Sequence, residues 1–241
     1  MAEQEVAKHT KKVYKVWASK EHSWQHKVKE FFIEIVIIVF AVSLSIWFHN
    51  LSEKSHDRKE AKAYLEGLKK DLLKDIVEMR EDSASFVDQH KFYTYLGSAP
   101  KGVLDTAMII ENSWMFSNQT ALIPNISRFE ALKYSGKMNI IENKELLDEI
   151  LNLYEEKIPL LVNIATNAND YKNGSFNEYM DRHRYFLAAK QTEFYKEIQT
   201  NVDLNYYFKR IASTMPYVID RYRDVIQHNE KLVRMIDKEI K

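Results

Sequence analysis

Cysteine is absent from the chain, which excludes disulfide staples, thiolate metal sites and cysteine nucleophiles. Only five glycines and four prolines occur among 241 residues, too few for the many turns of a sandwich or barrel. No charge of one sign dominates: Lys+Arg and Asp+Glu both total 35, giving zero formal net charge. No global field therefore recruits nucleic acid or an acidic substrate, and no nucleic-acid partner is expected. The sequence also lacks G-x-S-x-G, a phosphate-cradling glycine loop, a zincin helix and a dinucleotide fingerprint. No enzymatic activity, cofactor or metal is expected. What is plentiful, Leu, Ala, Glu, Lys and Ile, reads as an all-α chain.

Against this polar background stands one apolar run of eighteen residues, Phe31 to Phe48 (FFIEIVIIVFAVSLSIWF), broken only by Glu34. At about 1.5 Å of helical rise per residue such a run just crosses a bilayer's hydrocarbon core. Ala41, Ser43 and Ser45 resemble a signal-peptide cleavage site. The thirty-residue leader is long for an n-region, however, and the run continues through Ile46, Trp47 and Phe48, so an uncleaved anchor is the better reading. The twenty residues before the span carry six Lys (11, 12, 15, 20, 27 and 29); the twenty after it carry Lys54, Arg58, Lys59 and Lys62. Six against four favours a cytoplasmic N-terminus and an extracytoplasmic C-terminal part.

The expected organisation is a basic amphipathic leader (1–30), a transmembrane helix (31–48), a stalk helix (49–97) and a helical bundle packing on the stalk (98–241). In the leader, Val13, Trp17, Trp24, Val28 and Phe31 recur near helical spacing among lysines. That is the pattern of a helix lying on anionic lipid, or of a solvated tail whose aromatics join the interfacial belt. Trp17, Trp24 and Trp47 are the candidate interfacial aromatics, and membrane lipid is the first expected partner. Glu34 lies one turn into the span, where an ionisable group is costly. It snorkels, pairs with a lysine such as Lys27 or Lys29, makes an oligomer contact or serves an ion path.

Beyond the span, Ala61, Leu65, Leu68, Leu72, Ile76 and Met79 step by four and three, and the series extends to Leu96 before Gly97 and Pro100. Span and stalk thus read as one continuous helix. A shorter helix is expected from Leu104 to Phe116. A compact one is expected in NISRFEALKYSG, capped by Asn125 or Ser127 and closed by Gly136 in the left-handed position. A long helix begins at Asn143 with a kink at Pro159, Asn173 and Gly174 predict a break, and Phe176 to Tyr195 reads as a further helix.

The last forty residues carry the clearest period: Leu204, Phe208, Ile211, Met215, Val218, Tyr222, Val225, Asn229, Leu232 and Ile236 step four, three, four, three. Pro216, beside this seam, should bend the helix. The stripe either packs inside one antiparallel bundle or forms an intermolecular coiled coil in which Asn229 sets register. In the second case these residues are an interaction seam.

Clusters with chemical potential are few. His22 and His26 stand one turn apart without a third ligand, and His49 and His56 two turns apart. In MDRHRYF, His183 sits among Asp181, Arg182 and Arg184, either an acidic-ligand site or a charged rim. Asp220, Arg221, Arg223 and Asp224 read as surface pairs. Asn-x-Ser/Thr sequences at Asn50, Asn118, Asn125 and Asn173 read as accidental.

Two stretches carry a family pattern. From Glu34 to Leu72, Glu34, Asn50, Tyr64, Leu65, Leu68, Asp71 and Leu72 occupy the places of an acidic residue at the start of a span, an asparagine at its exit and a Tyr-Leu-x-x-Leu-x-x-Asp-Leu segment. From Phe129 to Glu155 a serine-glycine turn precedes an asparagine-capped helix. The chain resembles, over under a third of its length, an uncharacterised bacterial family of single-pass membrane proteins, a domain of unknown function. It departs in Phe48 and His49 before Asn50 and in its longer, Trp-containing leader. The resemblance implies topology, bacterial origin and a periplasmic C-terminal domain, not a reaction.

Three functional expectations follow. The first is a non-enzymatic scaffold or accessory subunit of an envelope assembly, with a protein partner or a homo-oligomer. The second is a periplasmic ligand-sensing bundle in which aromatics such as Trp114, Met115, Phe116, Phe176, Tyr179, Tyr185 and Phe186 line a pocket. The third, an enzyme of unrecognised type, requires a cleft where His183 meets a carboxylate.

Overall fold

A computed structural model describes residues 24–98 and 104–241, together with residues 11 and 14. The expectations for Trp17, His22 and most of the amphipathic leader lie outside the described residues. Among the described residues every regular element is helical and none is a strand, so the chain is all-α. It divides into two compact units, Met1–Ala61 and Lys62–Lys241.

The first helix, α1, runs unbroken over Trp24–Ser98. Within the first unit it carries the apolar run with nearly all side chains exposed, as at Phe32 (61 %), Val36 (65 %) and Phe40 (66 %). No periodic polar face interrupts the run, so no single direction of packing is encoded. The helix is long and apolar enough to cross a membrane.

The second unit is a bundle built from residues 62–98 of α1 with α2 (Thr106–Glu111), α3 (Ser127–Tyr134), α4 (Lys144–Asn152), α5 (Ile158–Tyr171), α6 (Asn177–Arg182), α7 (Gln191–Thr200) and α8 (Val202–Glu239). Residues 62–98 of α1 are thus a core helix of the second unit. Cross-links give the directions. Lys69 pairs with Asp237 at 2.5 Å, Arg80 with Glu230 at 2.7 Å, and the Asn205 amide donates to the Gly97 carbonyl at 2.7 Å. Position falls along α8 as it climbs along α1, so the two helices are antiparallel. The pairs Lys157–Asp224 (2.7 Å) and Lys231–Glu149 (2.5 Å) run α8 antiparallel to the α4–α5 segment in the same way.

These ion pairs are part-exposed and each contributes only ~0–1 kcal/mol, so they report register more than strength. The strength lies in the stripes. On α1, Leu65, Leu68, Leu72, Ile76, Met79, Phe86, Tyr93 and Leu96 are all buried. On α8 all ten seam residues are buried, none more than 3 % exposed. Of the two uses open to the seam, packing within the chain is the one displayed: α4, α5 and α7 lie against α8, and Tyr222 meets Phe86 of α1 with ring centroids 5.8 Å apart. A buried large apolar side chain contributes roughly 1.5–3 kcal/mol.

Pro216 lies inside α8 without ending it. Proline has no N–H to give the carbonyl four residues back, that of Ala212. His90 of α1 takes the vacant place, its Nδ1 donating to the Ala212 carbonyl at 3.0 Å. Pro159 likewise leaves the Glu155 carbonyl without its helical donor. The chain widens there into a π-turn over Leu153–Lys157 and continues as α5, rather than ending.

Four local expectations are corrected. Asn125 and Ser127 do not cap α3, whose N-cap is Ile126 without a side-chain bond; Asn125 is drawn instead to Asp75. The helix expected over Leu104–Phe116 is α2 followed by a 3₁₀ turn, Ser113–Phe116, because the Asn112 amide folds back on the Met108 carbonyl at 2.8 Å. Asn173 and Gly174 make no break, being absorbed in a second π-turn, Lys172–Phe176, that joins α5 to α6. The helix expected from Phe176 to Tyr195 stops at Arg182. There Arg184 adopts φ 56°, with Tyr185 N–H bonded to the Met180 carbonyl and Arg184 N–H to the Asp181 carbonyl. Those two bonds form a Schellman motif with arginine where glycine is usual. Gly136 does take the expected left-handed position, at φ 72°.

Candidate functional site

The bundle holds three arrangements of chemical interest. The first is a polar column on α1. Asp75, Asp82 and Gln89 recur every seven residues within its buried stripe, and each meets a different segment. Asp75 is fully buried and accepts from the Asn125 side chain at 2.6 Å and backbone N–H at 3.1 Å. Asp82 accepts from the Tyr222 hydroxyl at 3.0 Å. Burial raises the pKa of both carboxyls, while the bonds from Asn125 and Tyr222 oppose the rise. One turn before Asp75, Asp71 pairs with Arg128 at 2.8 Å, and the guanidinium lies over Gly67, where a Cβ would stand 2.4 Å from Arg128 Cζ. Glycine in mid-helix therefore makes room for this pair.

The second arrangement is a buried network around Lys172, the first residue of the second π-turn, which lies in the core at 1 % exposure. Its Nζ donates to Gln89 Oε1 at 2.8 Å and to the Asn118 carbonyl. Around them Ser85 and Thr120 hydroxyls lie 2.9 Å apart, the Asn118 amide donates to Thr120 Oγ1 at 2.9 Å, and Asn169 donates to the Thr120 carbonyl at 2.7 Å. Asn118 and Asn125, both in Asn-x-Ser/Thr sequences, thus spend their side chains inside the fold. Among the described residues Lys172 meets no carboxylate, and burial lowers its pKa to about 8. Its protons go to neutral acceptors, so it ties the π-turn to α1 rather than offering an amine to solvent.

The third is a cleft of about 340 Å³ between α2 with its 3₁₀ turn and the α6–α7 connection. Its floor is buried: Ile109, Phe116, Met180, Tyr185 and Phe194. The floor rings contact one another, Phe194 lying 5.7 Å from Phe116 and 5.2 Å from Tyr185. Its lip is exposed, at Ile110 (54 %) and Phe186 (50 %). Besides the tyrosines Tyr185 and Tyr195, the polar side chains lining it are Ser113, Ser117 and Gln191, all uncharged. A second, more open cleft of about 410 Å³ lies beside Trp114 and Met115 and includes the Asp88–Lys91 pair.

Of the residues singled out in the sequence, Glu34 is buried at 6 % and engaged in an interaction, amid exposed neighbours. Trp24 and Trp47 are exposed at 74 % and 56 %, and Trp47 packs edge-on to Phe48. Asn229 is fully buried with neither amide atom hydrogen-bonded among the described residues. Phe116, Tyr185 and Phe186 meet in the aromatic cleft and Trp114 and Met115 in the other, whereas Phe176 and Tyr179 pack in the core. His183 is exposed, donates to the Tyr179 carbonyl at 2.9 Å and stacks on Tyr185. No ion pair with a carboxylate is formed by His183 among the described residues. His49 and His56 are exposed, and His56 lies 4.0 Å from Glu60. Among the described residues no group of three His, Asp or Glu is placed to hold a metal ion. Asp220 and Arg223 form the expected surface pair at 2.6 Å.

The polar column and Lys172 were missed in the sequence. Seven-residue spacing of Asp75, Asp82 and Gln89 inside an apolar series was the available signal. Comparison of the chain with known protein families, curated proteins and solved structures finds no match.

Proposed function

We propose that the chain is a membrane-anchored binding protein, a helical bundle tethered by the Phe31–Phe48 segment, acting without catalysis as a scaffold or accessory subunit of a bacterial envelope complex. In this reading the anchor lies in the inner membrane with the N-terminus cytoplasmic and the bundle periplasmic. The observation that carries it is the exposed apolar run of α1, continued in one helix by residues 62–98 of a bundle whose buried Asp75 and Lys172 are bonded to Asn125 and Gln89 within the fold. The buried seam means that a partner would meet other surfaces, such as the exposed Leu73 and Val77 on α1. Light scattering on the full-length detergent-solubilised protein tests it: a defined oligomer or a stoichiometric co-purified partner is expected, and a lone monomer would overturn it. The cysteine-free background makes orientation measurable. A single cysteine at Thr200 should react with a membrane-impermeant maleimide from the periplasmic side.

The cleft beside Phe116 favours a second reading, a ligand-sensing bundle that signals through a partner. Its size falls at the lower end of small-molecule sites, and its buried apolar floor with a few neutral polar groups is their usual construction.

A further inference from the structure

Lys172 and the polar column are consumed in holding the bundle together, and Asn229 is enclosed by the seam. The aromatic cleft differs, since its lip residues Ile110 and Phe186 face solvent over a floor of buried side chains. The lining contains no carboxylate, lysine, arginine or histidine. Two carboxylates of α7 act on Tyr185 from outside the lining, Glu197, which accepts from the Asn201 amide, and Glu193, which pairs with Lys190. An ion entering this cleft would lose hydration with no charged side chain in the lining to pair with, which is costly. A neutral molecule loses little, gains dispersion and ring contacts from the floor, and finds hydrogen-bonding partners in Ser113, Ser117 and Gln191.

We propose that this cleft binds an uncharged, largely apolar small molecule with one hydrogen-bonding group, about the size of a bicyclic aromatic. The inference rests on the ligand-binding reading and adds the chemical class. The Schellman turn at Arg184 shapes the site by setting Tyr185 into the floor beside Met180. Phe186, the next residue, is left at the lip.

The test uses the full chain in lipid nanodiscs with ¹³C-methyl methionine, indole being the probe. Of the eight methionines, Met180 lies in the floor, Met108 beside the second cleft, and Met79 and Met215 in the core. The Met180 signal is assigned with Met180→Leu. Saturable movement of the Met180 methyl is expected, with Met79 and Met215 unmoved. Indole-3-acetate and tryptamine, its charged relatives, should bind at least tenfold more weakly. Ser117→Phe, which fills the cleft, should abolish the saturable shift while the other methyl signals stay in place. Ile110→Trp, altering only the exposed lip, is the second variant should Ser117→Phe disturb the fold. Preferential saturation by a charged relative would overturn the proposed class and leave the ligand-binding reading standing. No saturable shift from any of the three would overturn both. Undiminished indole binding in Ser117→Phe, or in Ile110→Trp where Ser117→Phe disturbs the fold, would overturn the assignment to this cleft.

Discussion

Phe40 and Phe208 are the same side chain on α-helices of the same chain, one 66 % exposed and the other fully buried. Around Phe40 the apolar residues are continuous, so every face of the helix is equivalent and the helix suits a uniform apolar solvent. Around Phe208 they recur at three and four residues, so one face is apolar and a protein surface must cover it. Apolar density marks a helix able to cross a membrane, and apolar period marks the bundle. The largest expected effect separates the two. Phe208→Ala should lower bundle stability by about 3–5 kcal/mol, measured by urea unfolding in detergent. Phe40→Ala should leave that transition where it is.

Lys172 sharpens the contrast, because it is a charge-bearing group within the periodic region. Burial lowers its pKa to about 8 from 10.5. The folded chain therefore releases this proton before the unfolded chain does, and binds fewer protons than it between those values. Stability should accordingly rise with pH from about 8, by up to ~1.4 kcal/mol per unit. Tyr93, Tyr154 and Tyr222 act in the opposite sense, burial raising their pKa above the usual 10. Above about pH 10 the unfolded chain loses tyrosine protons that the folded chain keeps, and stability falls again. The rise from pH 8 to 10 should vanish in Lys172→Met, as checked by melting temperature against pH.

Two side chains in the seam region have opposite hydrogen-bond fates. Asn229 is buried with no partner for its amide among the described residues, so Asn229→Leu should stabilise the bundle by about 1–3 kcal/mol. His90 supplies the bond that Pro216 denies to Ala212, so His90→Leu should cost a similar ~1–3 kcal/mol by leaving a buried carbonyl without a donor. Restoring the helical donor with Pro216→Ala in the His90→Leu background should recover part of that loss in thermal unfolding.

The same distinction explains which features the sequence disclosed. The α1 and α8 stripes were legible because their period repeats over many turns. Asn143 was legible as a cap because its Oδ1 accepts from Leu146 N–H, three residues on. Asp75 was passed over for its neighbour Ile76, since a carboxylate in an apolar series reads as solvent-facing until its distant partner Asn125 is known. Gly174 read as a break, yet nothing lies within 4 Å of where its Cβ would be, so its missing side chain serves neither turn nor contact. The aromatic cleft was foreseen only in part: Phe116, Tyr185 and Phe186 were named, but Ile109, Met180 and Phe194 are brought there by tertiary packing.

The α6–α7 turn had no glycine or proline to announce it, and it provides the smallest effect. At φ 56° Arg184 bears the left-handed conformation that a Cβ disfavours by roughly 1–2 kcal/mol. The compensation is visible in the motif's two backbone bonds and in the burial of Tyr185 and Met180 on either side of it. Arg184→Gly removes the conformational cost but enlarges the freedom of the unfolded chain, an opposing contribution of about 0.5–1 kcal/mol. The net gain should be a few tenths of a kcal/mol to about 1 kcal/mol, read as a small upward shift in urea midpoint without a change in slope. A loss of stability would mean that the Arg184 side chain itself supports the turn, and the strain argument would fall with it.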